Sequence, residues 1–294
     1  DILGFWKGFV KFLILLPIAV AQCCLLLSQF KKQGGKVVII PGFTDKILLT
    51  KLSSLLKLKI IWIEYAPLEG ICRRNLKIPI LLYKLASRSV DKIIVPTKYT
   101  KKKMMAGGFF PGKKIDVIPC AIKVLPPSEI IELKRKARLL KKRLKIQNKK
   151  VIGIVSRIEK GKGQENLIRT ASLLKDKLND FVILIVGEGD DKHLKKLINE
   201  LRLNRYVKFL GFKKDVYEII STFDVFIFPT IWPLEGFGIV SLEAMMLGIP
   251  LMVSDFGPVP EVVGKAALVV NPQPEELSKS IISFLNNKKL QRKL

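Results

Sequence analysis

The chain has 294 residues, of which 49% are hydrophobic, and this apolar content excludes an intrinsically disordered protein. A chain of this length can hold two domains that each bury a core of their own. Its 52 lysines and arginines against 25 aspartates and glutamates give a net charge of +27, which predicts an anionic partner: a membrane surface, a nucleic acid or a phosphorylated substrate.

The cysteines and the single histidine argue against several kinds of site. Cys23, Cys24, Cys72 and Cys120 show no C-x-x-C spacing and are not grouped with histidines. The sequence therefore predicts neither a metal site nor a disulfide framework, and it favours a reducing, cytoplasmic setting. His193 stands in a charged stretch without a partner for a catalytic triad, so we expect it to be solvated.

The first segment, residues 3–27, is strongly apolar, and no charge interrupts it from Phe12 to Leu27. The uncharged part is somewhat shorter than the ~20 residues that a helix needs to span a bilayer, and Pro17 lies inside it. Three interpretations remain open: a buried helix, a helix in the membrane interface, and a membrane span. Burial or interfacial contact is favoured over spanning.

Short apolar strands alternate with helical patterns over the next part of the chain. The predicted strands cover residues 36–40, 60–64, 91–95 and 115–118, and the predicted helices cover residues 46–58, 76–86 and 97–105. Such alternation favours a parallel, Rossmann-like sheet. We therefore predict a first domain over residues 1–122.

The segment 123–148 is predicted to be a basic linker and helix between two domains. Leucines recur on one helical face, with many lysines and arginines between them, and Ser128 is a plausible cap. A solvated amphipathic helix is the favoured interpretation, and contact with anionic lipid headgroups is the second. Nucleic-acid binding is the third, but no recognised motif supports it, so we do not expect a nucleic-acid partner.

A second domain, residues 149–294, is predicted to begin with a strand over residues 151–156. Arg157 and Lys162 flank a glycine turn between this strand and a helix that starts at Gln164. Cations at such a turn can neutralise a diphosphate, arginine through a forked contact and lysine as a point charge. The chain has neither the G-x-G-x-x-G fingerprint nor a Walker A sequence.

The most informative stretch runs from Glu235 to Glu243, between a predicted strand over residues 224–229 and a helix that ends at Gly248. Its glycines let the backbone approach a ligand, and a helix N-terminus near residues 237–239 supplies free N–H groups for a phosphate or diphosphate. Because carboxylates beside an anion would repel it, we expect both glutamates to face sugar hydroxyls. A nucleotide sugar carries both kinds of group.

The stretch from Glu235 to Glu243, together with the later segments Gly248–Pro250 and Pro260–Val263, resembles the donor site of retaining GT-B glycosyltransferases of the group 1, family 4 type. The resemblance implies an α/β fold of the GT-B kind: two Rossmann-like domains with parallel sheets facing across a cleft. It also implies a retaining, hexosyltransferase-like enzyme. Such an enzyme moves a sugar from a nucleotide diphosphate sugar to a glycan or lipid-linked acceptor, as in cell-envelope polysaccharide biosynthesis.

The resemblance also implies a role for each site residue. The catalytic residues are Glu235, which orients the donor sugar, and Arg157 and Lys162, which match the family's R-x4-K-G pattern at the diphosphate. The donor-binding residues are Glu243 at the ribose and the segment Gly236, Phe237, Gly238, Ile239 and Val240 at the phosphates. No metal and no cofactor are expected, since cations and a helix end stabilise the leaving group.

Two positions depart from the family pattern. Tyr65 stands where the family often has a histidine, and Cys120-Ala121 replaces an Asn-Gly pair. Two alternatives stay open: a sugar-nucleotide epimerase or hydrolase of the same fold, which would use a similar donor pocket without an acceptor, and an inactive, basic, membrane-peripheral binding module. The chain starts at Asp1 and stops at Leu294 inside apparent structural elements, which suggests truncation at both ends. A cytoplasmic protein at the inner face of the membrane is expected.

Overall fold

The computed structural model of the protein describes residues 17–18, 20–67, 77–108, 110, 112–178 and 180–293. The chain divides into two compact units, Asp1–Pro119 and Cys120–Leu294. The described residues form a parallel sheet of four strands in the first unit and one of six strands in the second. The predicted α/β fold with two parallel-sheet domains is therefore confirmed, while the finer division at residues 122 and 148 stays a prediction.

The sheet of the first unit has the strand order β1-β2-β3-β4. Its strands are β1 Val37–Ile40, β2 Lys59–Ile63, β3 Lys92–Val95 and β4 Ile115–Val117. Its helices are α1 over residues 20–32, α2 Phe43–Leu55, α3 Lys77–Ser87 and α4 Lys98–Ala106. A short 3-10 helix, Gly112–Lys114, precedes β4. Isoleucine and valine dominate the strands, because β-branched side chains fit a pleated, half-buried surface.

Helix α2 ends earlier than the sequence pattern predicts. The apolar spacing suggested a helix over residues 46–58, but α2 covers Phe43–Leu55. Lys57 adopts the left-handed conformation, with φ at 56°, and its N–H donates to the Ser54 carbonyl oxygen. A lysine in this conformation gives no sequence signal of the kind that glycine gives, so the leucines that follow residue 55 looked helical.

A buried polar cluster lies beside the aromatic core of the first unit. The Lys46 ammonium pairs with the Glu64 carboxylate at 2.8 Å, and the Tyr83 hydroxyl donates to the same carboxylate. Trp62 packs beside them, with its ring centroid 4.8 Å from that of Tyr83. Burial lowers the pKa of Lys46 and raises the pKa of Glu64, while the opposite charge of the partner acts against both shifts.

The sheet of the second unit has the strand order β10-β9-β8-β5-β6-β7. Its strands are β5 Lys150–Val155, β6 Phe181–Val186, β7 Val207–Gly211, β8 Val225–Phe228, β9 Leu251–Ser254 and β10 Leu268–Val270. Strand β5 pairs with both β6 and β8, so the strand order reverses direction at this point. In open parallel sheets, ligands bind outside the carboxyl ends of the strands at such a reversal.

Helices cover both faces of the second sheet. They are α5 Pro127–Arg143, α6 Gln164–Leu174, α7 Lys192–Glu200, α8 Tyr217–Ile220, α9 Ile239–Met246, α10 Val259–Val263, α11 Pro274–Asn286 and α12 Lys288–Lys293. Ile183 and Ile185 of β6 belong to one buried apolar cluster, whereas Val182 and Leu184 belong to another. Because successive side chains of a strand point to opposite faces, each face of the sheet has its own core.

The apolar segment 3–27 is only partly described. Residues 3–16 and 19 lie outside the described residues, as does Cys72. Leu25 and Leu26 of α1 are exposed, whereas Leu27 is buried. Nowhere in the described part of the chain does a helix have the length and apolar character that crossing a membrane requires.

Candidate active site

The loops that follow β5 and β8 meet within the second unit. Loop 156–163 follows β5, and loop 229–238 follows β8. The backbone N–H of Ile231 donates to the carbonyl oxygen of Gly161 at 2.7 Å, and the Thr230 hydroxyl donates to the same oxygen at 3.4 Å. These contacts hold the two predicted catalytic segments side by side.

Glycine is required where the loops are closest. Gly163 has a φ of 88°, a conformation that side chains disfavour. A Cβ atom at this position would lie 2.3 Å from the carbonyl oxygen of Pro229. Any other residue would therefore push the two loops apart.

Two of the predicted catalytic residues form an ion pair with each other. The Lys162 ammonium donates to the Glu235 carboxylate at 2.8 Å, and the two side chains are only 10% and 11% exposed. The Trp232 ring covers the same ammonium, with its centroid 5.6 Å from Nζ. An aromatic face attracts a cation, so Lys162 is held between a carboxylate and a ring.

The sequence did not single out Trp232 or Gln164, yet both support the site. Gln164 is buried, and its amide donates to the Ser156 hydroxyl at 2.9 Å and to the Arg157 carbonyl oxygen at 2.7 Å. These bonds hold the backbone at Ser156 and Arg157 in place. No sequence motif marks either residue, and the contact of Trp232 with Lys162 joins two loops that are far apart in the chain.

Arg157 is held much less firmly than Lys162. Its side chain is 70% exposed and lies 3.2 Å from the Glu159 carboxylate, without hydrogen-bond geometry. A long, exposed arginine can reorient at little cost in packing. The guanidinium is therefore free to turn toward an anion in the neighbouring cavity.

Helix α9 begins at Ile239, within the predicted phosphate-binding segment 236–240. Gly238 occupies the N-cap position with a φ of 79°, and because glycine has no side chain it cannot cap the helix with a side-chain acceptor. The first N–H groups of a helix have no partner inside the helix, so those near Ile239 and Val240 can receive an acceptor. Gly236 and Phe237, which precede the helix in the chain, are buried.

Glu243 lies one turn further along α9 and is partly buried. Burial is the main factor that raises the pKa of its carboxyl group, and the negative charge of Asp215 adds to the shift. Burial likewise raises the pKa of the Tyr217 hydroxyl, with further contributions from Glu243 and Asp215. The carboxyl group of Glu243 therefore keeps its proton to a higher pH than an exposed glutamate does.

A cavity of about 530 Å³ joins these groups outside the carboxyl ends of β5, β6 and β8. Its lining includes seven of the predicted site residues: Arg157, Lys162, Glu235, Gly238, Ile239, Val240 and Glu243. Gly236 and Phe237 are buried and are not part of the lining. Phe212 and Lys213, in the loop after β7, complete the wall. Seven of the nine predicted site residues thus line one ligand-sized cavity.

The described residues contain no group of three or more histidine, cysteine, aspartate or glutamate side chains arranged to hold a metal ion. That the chemistry needs no metal stays a prediction.

Tyr65 and Cys120 are described positions at which the sequence departs from the family pattern. In the first unit, Tyr65 follows β2 and is 58% exposed, while Glu64 before it is buried. Cys120 is the first residue of the second unit, and burial raises the pKa of its thiol. A raised pKa disfavours the reactive thiolate form.

Residues 136–294 match the family described as glycosyl transferases group 1. An uncharacterized glycosyltransferase of Methanocaldococcus jannaschii is 28% identical over 199 residues, which cover 67% of this chain and 48% of that protein. The N,N'-diacetylbacillosaminyl-diphospho-undecaprenol alpha-1,3-N-acetylgalactosaminyltransferase of Campylobacter jejuni is 26% identical over 216 residues, or 72% and 56% of the two chains. The chain spans about half the length of the curated relatives it matches.

The structure is similar to that of Anabaena HepE, which was solved in complex with UDP. The TM-score is 0.80 at 20% identity, and the match covers 93% of this chain and 74% of that one. At this identity the likeness concerns the fold. It agrees with the two parallel-sheet units described above.

Proposed function

Because the chain belongs to the group 1 glycosyl transferases, we propose that it moves a sugar from a nucleotide diphosphate sugar to a hydroxyl group of a glycan or lipid-linked acceptor, with retention of configuration. One observation carries the proposal. Cations, carboxylates and an uncapped helix end converge on a single cavity in the second unit. The UDP bound to the structurally similar HepE supports a nucleoside diphosphate as the ligand class.

The leaving diphosphate needs stabilisation of its growing negative charge. Lys162 is fixed in place by Glu235 and Trp232 before a donor arrives, so its ammonium needs little reorganisation. Arg157 supplies a second, mobile cation that can form a forked contact with phosphate oxygens. The free N–H groups at the start of α9 add an uncharged anion site. These groups supply what a metal ion would otherwise supply, so we propose chemistry without one.

The two carboxylates act on the uncharged parts of the donor. Glu243 accepts hydrogen bonds from ribose hydroxyls, as a partly buried carboxylate on the cavity wall can do. Glu235 is in contact with Lys162. A donor whose sugar hydroxyls bind Glu235 would therefore have its diphosphate next to Lys162. The pair thus spans the bond that the reaction breaks.

The proposed reaction is a same-face substitution at the anomeric carbon. The bond from this carbon to the diphosphate oxygen breaks, and its electron pair stays on the diphosphate. The acceptor hydroxyl oxygen forms a new bond on the same face, and its proton passes to an oxygen of the leaving phosphate. Configuration is retained, and no side chain has to serve as a nucleophile.

A donor-binding assay tests the proposal directly. Thermal unfolding is measured with UDP, GDP, ADP and their sugar conjugates at fixed salt, with an anionic oligonucleotide as a polyanion control. We expect selective stabilisation by one nucleotide class, which Glu243→Ala abolishes. Equal stabilisation by every polyanion, unchanged in that variant, would contradict the donor site.

Product analysis separates transfer from its alternatives. Donor turnover should require an acceptor, and the product should keep the anomeric configuration of the donor. Turnover to a new sugar nucleotide or a free sugar, at the same rate without acceptor, would instead indicate the epimerase or hydrolase. Chelation of divalent cations should leave the rate of transfer unchanged.

A further inference from the structure

Helix α5 carries an exposed face that the proposed reaction does not use. Residues spaced three or four apart fall on one side of a helix. On the outward side of α5 they form the basic face, which consists of Ile131, Lys134, Arg135, Arg138, Leu139 and Lys142, all exposed. On the opposite side, Ala137 is buried and Leu140 belongs to an apolar core cluster of the second unit.

The charges of the basic face are largely unbalanced. Arg135 pairs with Glu132 at 2.7 Å. For Lys134, Arg138 and Lys142, no carboxylate among the described residues lies within ion-pair distance. These cations repel one another across a short distance, which an external anionic surface would relieve.

Helix α7 of the same unit is also rich in lysine, but two of its three lysines lie beside carboxylates. In α7, Lys195 pairs with Asp191 at 2.9 Å, and Lys196 lies 3.8 Å from the Glu200 carboxylate. Each of these lysines is balanced by a carboxylate four residues away. The basic face of α5 therefore differs in charge balance from the lysine-rich helix α7.

Large aliphatic side chains stand among the cations of the basic face. Ile131 is 69% exposed and Leu139 is 54% exposed. The phosphate backbone of a nucleic acid has no apolar surface on which such side chains could pack. The boundary between lipid headgroups and acyl chains does have such a surface. The basic face also lacks the aromatic residues on which nucleic-acid bases stack. Both observations favour a lipid surface over a nucleic acid.

We propose that the basic face of α5 docks the protein on a membrane surface of anionic phospholipids. Lys134, Arg138 and Lys142 lie against the headgroups, and Ile131 and Leu139 enter the interface between them. Helix α5 then lies parallel to the membrane plane, as interfacial helices with cationic and apolar side chains do. This inference does not depend on the identity of the donor or on catalysis.

Co-sedimentation with vesicles tests the docking surface. The probes are vesicles of phosphatidylcholine alone and of phosphatidylcholine mixed with phosphatidylglycerol. We expect binding to the mixed vesicles only, with a loss of at least about tenfold when salt rises from about 0.05 M to about 0.5 M. The triple variant Lys134→Glu, Arg138→Glu, Lys142→Glu should lose binding by at least about tenfold.

Matched variants separate this face from net charge. The control Lys192→Glu, Lys195→Glu, Lys196→Glu on α7 makes the same change in net charge and should bind nearly as the parent does. Ile131→Ser or Leu139→Ser should weaken vesicle binding about two- to tenfold, whereas Val269→Ser, at another exposed position of the unit, should not. Stabilisation by UDP, measured on every variant, reports separately on the donor site and confirms folding.

Three results would overturn the inference. The parent protein could fail to bind the mixed vesicles. The α7 control could lose as much binding as the α5 variant, which would show that only net charge matters. An RNA oligonucleotide could compete with vesicles and bind with no sensitivity to Ile131→Ser, which would identify the face as a nucleic-acid site.

Discussion

Lys162 and Glu235 are 73 residues apart in the chain, yet their side chains form a nearly buried ion pair 2.8 Å long. The proposal places one of them at the diphosphate and the other at the sugar, so their contact joins the two halves of the site. Each partner limits where the other can lie. The loops after β5 and β8 therefore form one functional unit, and predictions about either loop concern both.

Removing one partner of the pair should affect both stability and transfer. Lys162→Met leaves the Glu235 carboxylate in a nearly buried position without its partner, which should lower the free energy of unfolding by about 1–3 kcal/mol. The loss of a preorganised cation at the leaving group should reduce kcat by about a hundredfold or more. Chemical denaturation and steady-state transfer measure the two effects.

The double variant Lys162→Met, Glu235→Gln serves as the control. It removes the unpaired charge and should recover part of the stability while transfer stays low. Equal stability of the single and double variants would show that Glu235 does not destabilise the protein when its partner Lys162 is removed. Transfer at the parent rate in either variant would contradict the assigned roles.

Trp232 should position Lys162 without contacting the donor itself. Trp232→Leu removes the ring and should raise the donor KM by about two- to thirtyfold, which corresponds to about 0.5–2 kcal/mol of cation–π attraction. Trp232→Phe keeps an aromatic face and should restore most of this loss. The ratio of UDP to uridine affinity is the sensitive measurement, since Lys162 acts on phosphate only. An equal loss of affinity for UDP and uridine would assign Trp232 a purely structural role.

Much of the site could be predicted because its signals are local in sequence. Arg157 and Lys162 flank one turn, and Glu235 and Glu243 bracket another, so each pair falls within a short motif that could be compared with the family's donor site. Alternating strands and helices likewise gave the two parallel sheets. What spacing could not supply were contacts between distant segments: Trp232 over Lys162, and the ion pair itself.

Exposure also could not be predicted from the motif. Both cations were assigned to the diphosphate, but the side chain of Lys162 is nearly buried and that of Arg157 is largely in solvent. Which cation is fixed depends on the packing of loop 229–238 against loop 156–163. The sequence around each residue does not encode this difference.

Gly163 should be irreplaceable for reasons of both conformation and space. Gly163→Ala places a side chain in a left-handed position, which costs about 1–2 kcal/mol, and drives its Cβ atom against the Pro229 carbonyl oxygen. Gly211→Ala is the matched control, because Gly211 has a φ of 68° and nothing within 4 Å of the added atom. Denaturant unfolding should show a larger loss of stability for Gly163→Ala. Equal losses would mean that the loops can separate at no cost.

The raised pKa of Glu243 predicts that donor binding depends on pH. As a proposed acceptor of ribose hydrogen bonds, Glu243 must be ionised, so binding lowers its pKa from the raised value of the free protein. Donor affinity should therefore increase with pH through the raised pKa and become constant above it. The neighbouring Asp215 and Tyr217 belong to the same cluster, and the negative charge of Asp215 contributes to the shift.

The stability of the free protein should respond to Glu243 in the opposite sense. A carboxyl group whose pKa is raised by folding contributes stability below its unfolded pKa, and this contribution is lost as pH rises through the folded pKa. Titration calorimetry with UDP and thermal unfolding, each from about pH 4.5 to about pH 8, follow the two trends. In Glu243→Gln the affinity for UDP should be lower and its rise over this window should disappear. A rise that persists unchanged in Glu243→Gln would assign the pH dependence to another group, such as the terminal phosphate of UDP.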